Sequence, residues 1–169
     1  MRATSIELSV LKTLREVAVR GRYYQGRYTP WTKSILTSLA TTGRAEGYKV
    51  YTSKGNKKGD QDAGEWLYDQ VWIKYDKENY IQSVPLVLES ELGVDARDRL
   101  DDFCKLLLAR ADHRIMIFGA SQQNKAKAII DNFIDEISGS GIACRGDKYL
   151  FAALLESDGS FYFKKYIKK

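Results

Sequence analysis

The chain has 169 residues, 44% hydrophobic and 29% charged, which is the composition of one globular domain with a substantial core and too little chain for two comfortable ones. No segment approaches the ~18 apolar residues of a membrane span and Met1 to Val10 carries no apolar leader run, so a cytoplasmic protein without a membrane partner is expected. Its single histidine and its two cysteines, Cys104 and Cys144, without CxxC spacing, argue against a zinc site or a disulfide framework, and both thiols are expected to be buried and reduced.

The net charge of +5 is unevenly spread. Residues 1–58 carry 12 Lys+Arg against 3 Asp+Glu, a net of +9, which leaves −4 for the rest. A basic helical part (1–46) joined to an α/β core (47–169) points to a polyanionic partner, with nucleic acid the first candidate.

From Ser5 to Arg20, Ile6, Val10, Leu14 and Val17 recur every three to four residues, with Leu11 and Ala18 widening the stripe; an amphipathic helix ending at Gly21 is expected. The stretch that follows, GRYYQGRYTPW, interleaves cations with aromatics. Arg20, Arg22 and Arg27 are placed to take phosphates, and Tyr23 and Tyr24 to stack on bases, although a connector whose tyrosines cover the core would read the same way. Thr29 and Pro30 suit the N-cap and first position of a second helix, with Ile35, Leu36 and Leu39 inside and a stop near Gly43. YKVYT (48–52) is a short strand. The polar run 53–64 then brings Lys54, Lys57 and Lys58, which would either close over a phosphate backbone or form a solvated hairpin tip.

Trp66 to Tyr75 and Val84 to Leu92 read as strands that carry carboxylates in apolar surroundings: Asp69 in the first, Glu89 and Glu91 in the second. Strict alternation puts Trp66, Tyr68, Gln70, Trp72 and Lys74 on one face and Asp69 on the other with Leu67, Val71 and Ile73. An ionised carboxylate without a partner is costly to bury, and two acidic strands side by side can share that cost by holding a divalent cation. Glu89 and Glu91 facing water at a sheet edge, with Asp69 paired to a cation, is the plainer alternative.

A helix over 97–111 follows, with Leu100, Phe103, Cys104, Leu107 and Ala111 inward and Lys105 on its flank beside Asp101 and Asp102. RIMIFGA (114–120) is a buried strand, Ser121 would cap a further helix, and the tail forms a hairpin around 157–160. The expected order is α-α-β-β-β-α-β-α-β-β, an α/β domain with a mixed central sheet flanked by helices.

An acidic strand, a second strand ending in Glu89-Ser90-Glu91, a helix and a further strand-helix pair together resemble the PD-(D/E)XK nucleases, the restriction-endonuclease-like superfamily. The phrase LESELG followed by DDFCKLLLARADHRIMIF looks like members that combine Glu-x-Glu with a lysine moved to the next helix. The resemblance covers residues ~48–137. It implies a Mg²⁺-dependent nuclease acting on DNA, Mn²⁺ substituting, in which Asp69 and Glu89 hold metal, the Ser90 carbonyl adds a ligand, Glu91 binds metal or takes a proton, and Lys105 stabilises the phosphate. It also implies Glu16 as a helix-borne metal ligand. Cutting both strands would call for a two-fold homodimer. The chain departs from the family pattern in having Glu91 where a lysine is usual, which leaves open a catalytically silent nucleic-acid-binding module or a subunit of a larger complex. His113 is expected to be structural.

Overall fold

The structure is a computed structural model that describes residues 5–21, 27–53 and 66–169. Ten elements follow in order: α1 (Ser5–Gly21), α2 (Tyr28–Ala45), β1 (Lys49–Thr52), β2 (Gln70–Tyr75), β3 (Ile81–Glu91), α3 (Ala96–Leu108), β4 (His113–Ala120), α4 (Gln123–Gly139), β5 (Lys148–Leu155) and β6 (Phe161–Ile167). The strands form one six-stranded sheet in sequence order. Pairings β3–β4 and β4–β5 are parallel and the other three antiparallel, so the sheet is mixed. The two parallel steps are the ones bridged by helices, because a parallel return needs a crossover that a tight hairpin cannot supply.

Side-chain alternation sorts the core into two layers. Val50, Trp72, Leu86, Leu88, Ile115 and Ile117 point toward α1 and α2, whose own stripes supply Val10, Leu14 and Val17 from one helix and Ile35, Leu36 and Leu39 from the other, all fully buried. Val71, Ile73, Val87, Met116 and Phe118 point the other way, against Phe103 and Leu106 of α3 and Ile130 and Phe133 of α4. Each such side chain contributes about 1.5–3 kcal/mol on burial. β4 is buried at every position, as a central strand covered on both faces must be.

Several expectations are corrected. β2 begins at Gln70 rather than Trp66, because Leu67 takes φ 68 and breaks the extended run. The alternation therefore does not carry through. Trp72 is fully buried on the α2 side, stacked on Tyr48 with ring centroids 5.6 Å apart, whereas Tyr68 packs with the opposite layer. The second helix starts at Tyr28 with Arg27 as N-cap and no side-chain cap bond. Thr29 is not the cap, and Pro30 sits within the first turn, where backbone N–H groups lack intrahelical partners in any case. Helix α3 ends at Leu108, and of its expected stripe Leu100 is 40% exposed and Cys104 exposed, with Phe103 and Leu106 carrying the burial. Cys144 is exposed as well. Gln122, not Ser121, precedes α4 as N-cap. Among the described residues no helix is long and apolar enough to cross a membrane.

Just beyond β3 the chain crosses β4 at very short range. A Cβ added at Gly119 would lie 2.4 Å from the backbone oxygen of Leu92, an approach only glycine permits. Gly119→Ala is expected to cost about 1–3 kcal/mol as overpacking, read as a lower urea midpoint at unchanged slope. Gly139→Ala, where a Cβ would meet nothing within 4 Å, should leave the midpoint unmoved.

Candidate active site

β3 runs parallel to β4 and antiparallel to β2, so its C-terminal end, the start of β2 and the end of β1 share one edge of the sheet. There Gln70 pairs with Leu88 and with Thr52, and Glu89 with Met116. Carboxyl ends of parallel strands are where open α/β sheets place ligands, since helices cover the faces and only loops cover the ends.

Asp69 precedes β2 by one residue and is half-buried. Its Oδ2 accepts from the backbone N–H of Ser90 at 2.9 Å, its Oδ1 from the Ser53 hydroxyl at 3.1 Å, and its backbone oxygen from the Ser53 N–H at 2.9 Å. The carboxylate thus joins the ends of three strands. Glu89 lies on the α3 side of β3, in alternation with Val87, and is only 2% exposed. Among the described residues its Oε1 has no aligned hydrogen-bond donor; the Lys105 ammonium lies 3.5 Å from it, an ion pair rather than a hydrogen bond. Burial, and then the neighbouring Asp69 charge, push the Glu89 carboxyl up to about 8, against the opposing pull of Lys105.

Lys105 reaches this point from α3, whose Asp95 caps its N-terminus by accepting from the N–H groups of Arg97 and Asp98. The ammonium, half-exposed, also donates to Asp102 Oδ1 at 2.8 Å, one turn back. The Asp102 hydrogen bond holds Lys105 above the ordinary lysine value, so it is charged whenever the site is. Tyr68 completes the group: burial and the Glu89 charge raise its phenol.

Asp69, Glu89 and Lys105 are therefore brought together. Glu91 is half-buried, and its Oε1 accepts the N–H of Gly93 in the turn after β3, leaving its other oxygen as the part that could face a ligand. Ser90 spends its N–H on Asp69, and its hydroxyl, on the opposite face, is buried with no hydrogen-bond partner among the described residues. Glu16 is exposed on α1, which packs on the other side of the sheet from Glu89. Arg20 donates to Ser38 at 3.1 Å and so ties α1 to α2. Arg27, exposed, caps α2 beside Tyr28, whose hydroxyl donates to Glu156 just past β5. That contact puts the start of α2 at the same end of the sheet as the carboxylates, across the α1–α2 face. Arg22, Tyr23, Tyr24, Lys54, Lys57 and Lys58 lie outside the described residues.

An all-oxygen donor set beside an orphaned buried carboxylate oxygen suits a hard cation such as Mg²⁺ or Mn²⁺. Among the described residues no three His, Cys, Asp or Glu side chains gather closely enough to hold a metal by themselves. Asp69 and Glu89 are the two carboxylates here that could hold such an ion together with water.

Among the described residues, sequence reasoning misses two buried charged side chains, Glu7 and Arg114. Glu7 stands four residues before Leu11 on the inner stripe of α1, a spacing that could have revealed it. It pairs with Lys165 at 2.9 Å and approaches His113 Nε2 at 4.0 Å. His113 Nδ1 lies 3.1 Å from the Pro85 oxygen, and burial lowers its pKa, so the imidazole is a neutral structural group, far from the carboxylate end. Arg114, in β4, donates to the carbonyls of Ala109 and Ala111 past α3 and pairs with Asp147 at 3.1 Å; only tertiary packing reveals it.

The raised Glu89 value makes a stability prediction. Because the folded pKa of about 8 exceeds the ordinary 4.5, the contribution of protonated Glu89 is complete below about pH 4.5 and is lost as pH rises through 8. In metal-free protein Glu89→Gln should therefore be the more stable form at pH 7, by about 3 kcal/mol, with the gap closing toward pH 4.5. Urea titrations of both proteins across that range measure it. Compared with known proteins, the chain matches no family model and none of the curated proteins.

Proposed function

We propose that the chain is a Mg²⁺-dependent nuclease that hydrolyses DNA phosphodiester bonds, as an endonuclease, with Mn²⁺ able to substitute. The observation that carries this reading is Glu89: a carboxylate 2% exposed, facing a second carboxylate and a lysine at the C-terminal end of a parallel strand. Folding alone gives no reason to bury that charge. The resemblance to PD-(D/E)XK nucleases adds support, since Asp69, Glu89 and Lys105 stand for that family's two acids and its helix-borne lysine.

In this reading Asp69 and Glu89 hold the cation, whose part is to neutralise the phosphate and supply Lewis acidity. Lys105, held by Asp102, contributes a fixed positive charge to the oxygens that gain charge in the transition state. The outer oxygen of Glu91 is the available proton acceptor for an attacking water. One chain offers one such site, so cutting both strands of a duplex calls for a homodimer with two-fold symmetry.

A second reading keeps the fold and removes the chemistry. It is favoured by Glu91, which stands where the family has lysine and has one oxygen bound to the Gly93 N–H. The chain would then be a catalytically silent DNA-binding module.

Incubating labelled DNA with the protein and Mg²⁺, Mn²⁺ or EDTA separates the two. The nuclease reading expects metal-dependent cutting, abolished in Glu89→Gln and lowered roughly a hundred-fold in Lys105→Ala. Salt-sensitive binding without cutting by any form supports the silent module. Metal binding carries its own signature: Glu89 must lose its proton, so Mg²⁺ or Mn²⁺ should bind more tightly as pH rises from 6 to 8. Calorimetry in two buffers of different ionisation enthalpy should show proton release near pH 7 that Glu89→Gln removes.

A further inference from the structure

We propose that the segment Trp66–Tyr68 and the β1–β2 end of the sheet form a platform for unpaired nucleotides, so that the substrate is DNA with a single-stranded portion at the scissile position rather than uninterrupted duplex. This rests on the nuclease reading above and deepens it.

The first observation is strain. Leu67 holds φ 68, a conformation a leucine side chain rarely adopts, yet it is 77% exposed and joins neither core layer. Packing does not account for it. Strained backbone of this kind gathers at ligand-handling sites, and Leu67 stands two residues from Asp69.

The second observation is a partly exposed aromatic strip on the same face as Glu89, with Trp66 its most exposed member. Trp66 is 42% exposed, and its ring lies 5.2 Å from that of Tyr51. The Tyr51 hydroxyl meets that of Tyr75 at 3.3 Å, and the Lys49 ammonium lies 5.8 and 5.7 Å from those two rings. Tyr51, Tyr68 and Tyr75 all border the layer that contains Val87 and Phe103. Among the described residues α3 packs chiefly on β3 and β4, and α4 on β4, β5 and β6; Val71 and Ile73 of β2 are covered, and the aromatic side chains of β1 with Trp66 form the outer border of this face.

Rings braced against one another beside a lysine match a single strand, whose bases stack on aromatic faces while its phosphates meet cations. Bases of an intact duplex are stacked on each other and cannot use such a surface. An apolar side chain at the lip of the site can then act as a wedge between base steps, the part assigned to Leu67.

The test uses three labelled oligonucleotide substrates, a single strand, a blunt duplex and a fork with one unpaired arm, with wild type, Trp66→Ala and Leu67→Gly. Glycine adopts φ 68 without penalty, so Leu67→Gly removes the wedge and should not unfold the protein. Wild type is expected to cut the fork next to its single-strand junction and to prefer it to the duplex by at least ten-fold. Trp66→Ala should weaken single-strand binding roughly five- to 100-fold, and Leu67→Gly should erase the fork preference. Equal cutting of fork and duplex by wild type, or equal loss on all three substrates in Trp66→Ala, overturns the inference while leaving the nuclease reading intact.

If wild type cuts none of them, the nuclease reading fails and binding decides the platform. Trp31 and Trp72 are 5% and 0% exposed, so acrylamide quenching reports mainly Trp66. Shielding by the single strand in EDTA supports the platform. Absence of shielding overturns it, as does shielding that follows protein concentration and marks self-association instead.

Discussion

The hydrogen bond from the Ser90 N–H to Asp69 Oδ2 is the joint on which the candidate site depends. It closes the end of the β2–β3 ladder, beyond which β3 stays paired with β4 alone, and the Ser53 hydroxyl on the other oxygen draws in the end of β1. A charged acceptor on a backbone N–H makes a short, strong bond. Here it also sets an Asp charge beside the buried Glu89. The close passage of Leu92 over Gly119 holds the chain beyond β3 against β4, so the acidic end of the strand has little room to move.

Placing Glu89 there works against stability. Among the described residues its charged neighbours are the carboxylates of Asp69 and Asp102 and the Lys105 ammonium, which is itself shared with Asp102. Removing such a charge from water costs several kcal/mol, and a single ion pair at 3.5 Å does not offset it. The rest of the domain can carry that penalty because its two apolar layers are continuous on either side of the sheet. At the opposite end of the parallel strands, Glu7, Lys165 and His113 form a buried group in which the acid has its cation at 2.9 Å. The contrast is between an acid with its cation in close contact and one whose cation stands off at 3.5 Å.

Much of the architecture is legible along the chain, because helix and strand periods are local properties. The stripe Ile6, Val10, Leu14 and Val17 marks α1 close to its observed bounds, and the apolar run into Glu89 marks the end of β3, whose start lies at Ile81 rather than Val84. Where one residue breaks the local rule, the reading slips. Leu67, with nothing in its type to announce a positive φ, undoes the alternation from Trp66 to Tyr75 and parts Tyr68 from Trp72. Cys104 and Leu100 fit the period of α3 but not its contact line, because the sheet meets that helix along Phe103 and Leu106.

By itself the sequence determined the succession of helices and strands, the acidic pair on neighbouring strands and the basic N-terminal third, since each follows from residue type and spacing. Tertiary structure alone decided which charges meet. Lys105 reaches Glu89 while Glu16 lies across the sheet, and Asp69 turns to the Ser90 backbone while Glu91 turns to Gly93. These outcomes depend on strand register and on the line along which α3 crosses the sheet. Both are set by the packing of side chains distant in sequence, whose combined burial outweighs the preference of any one of them.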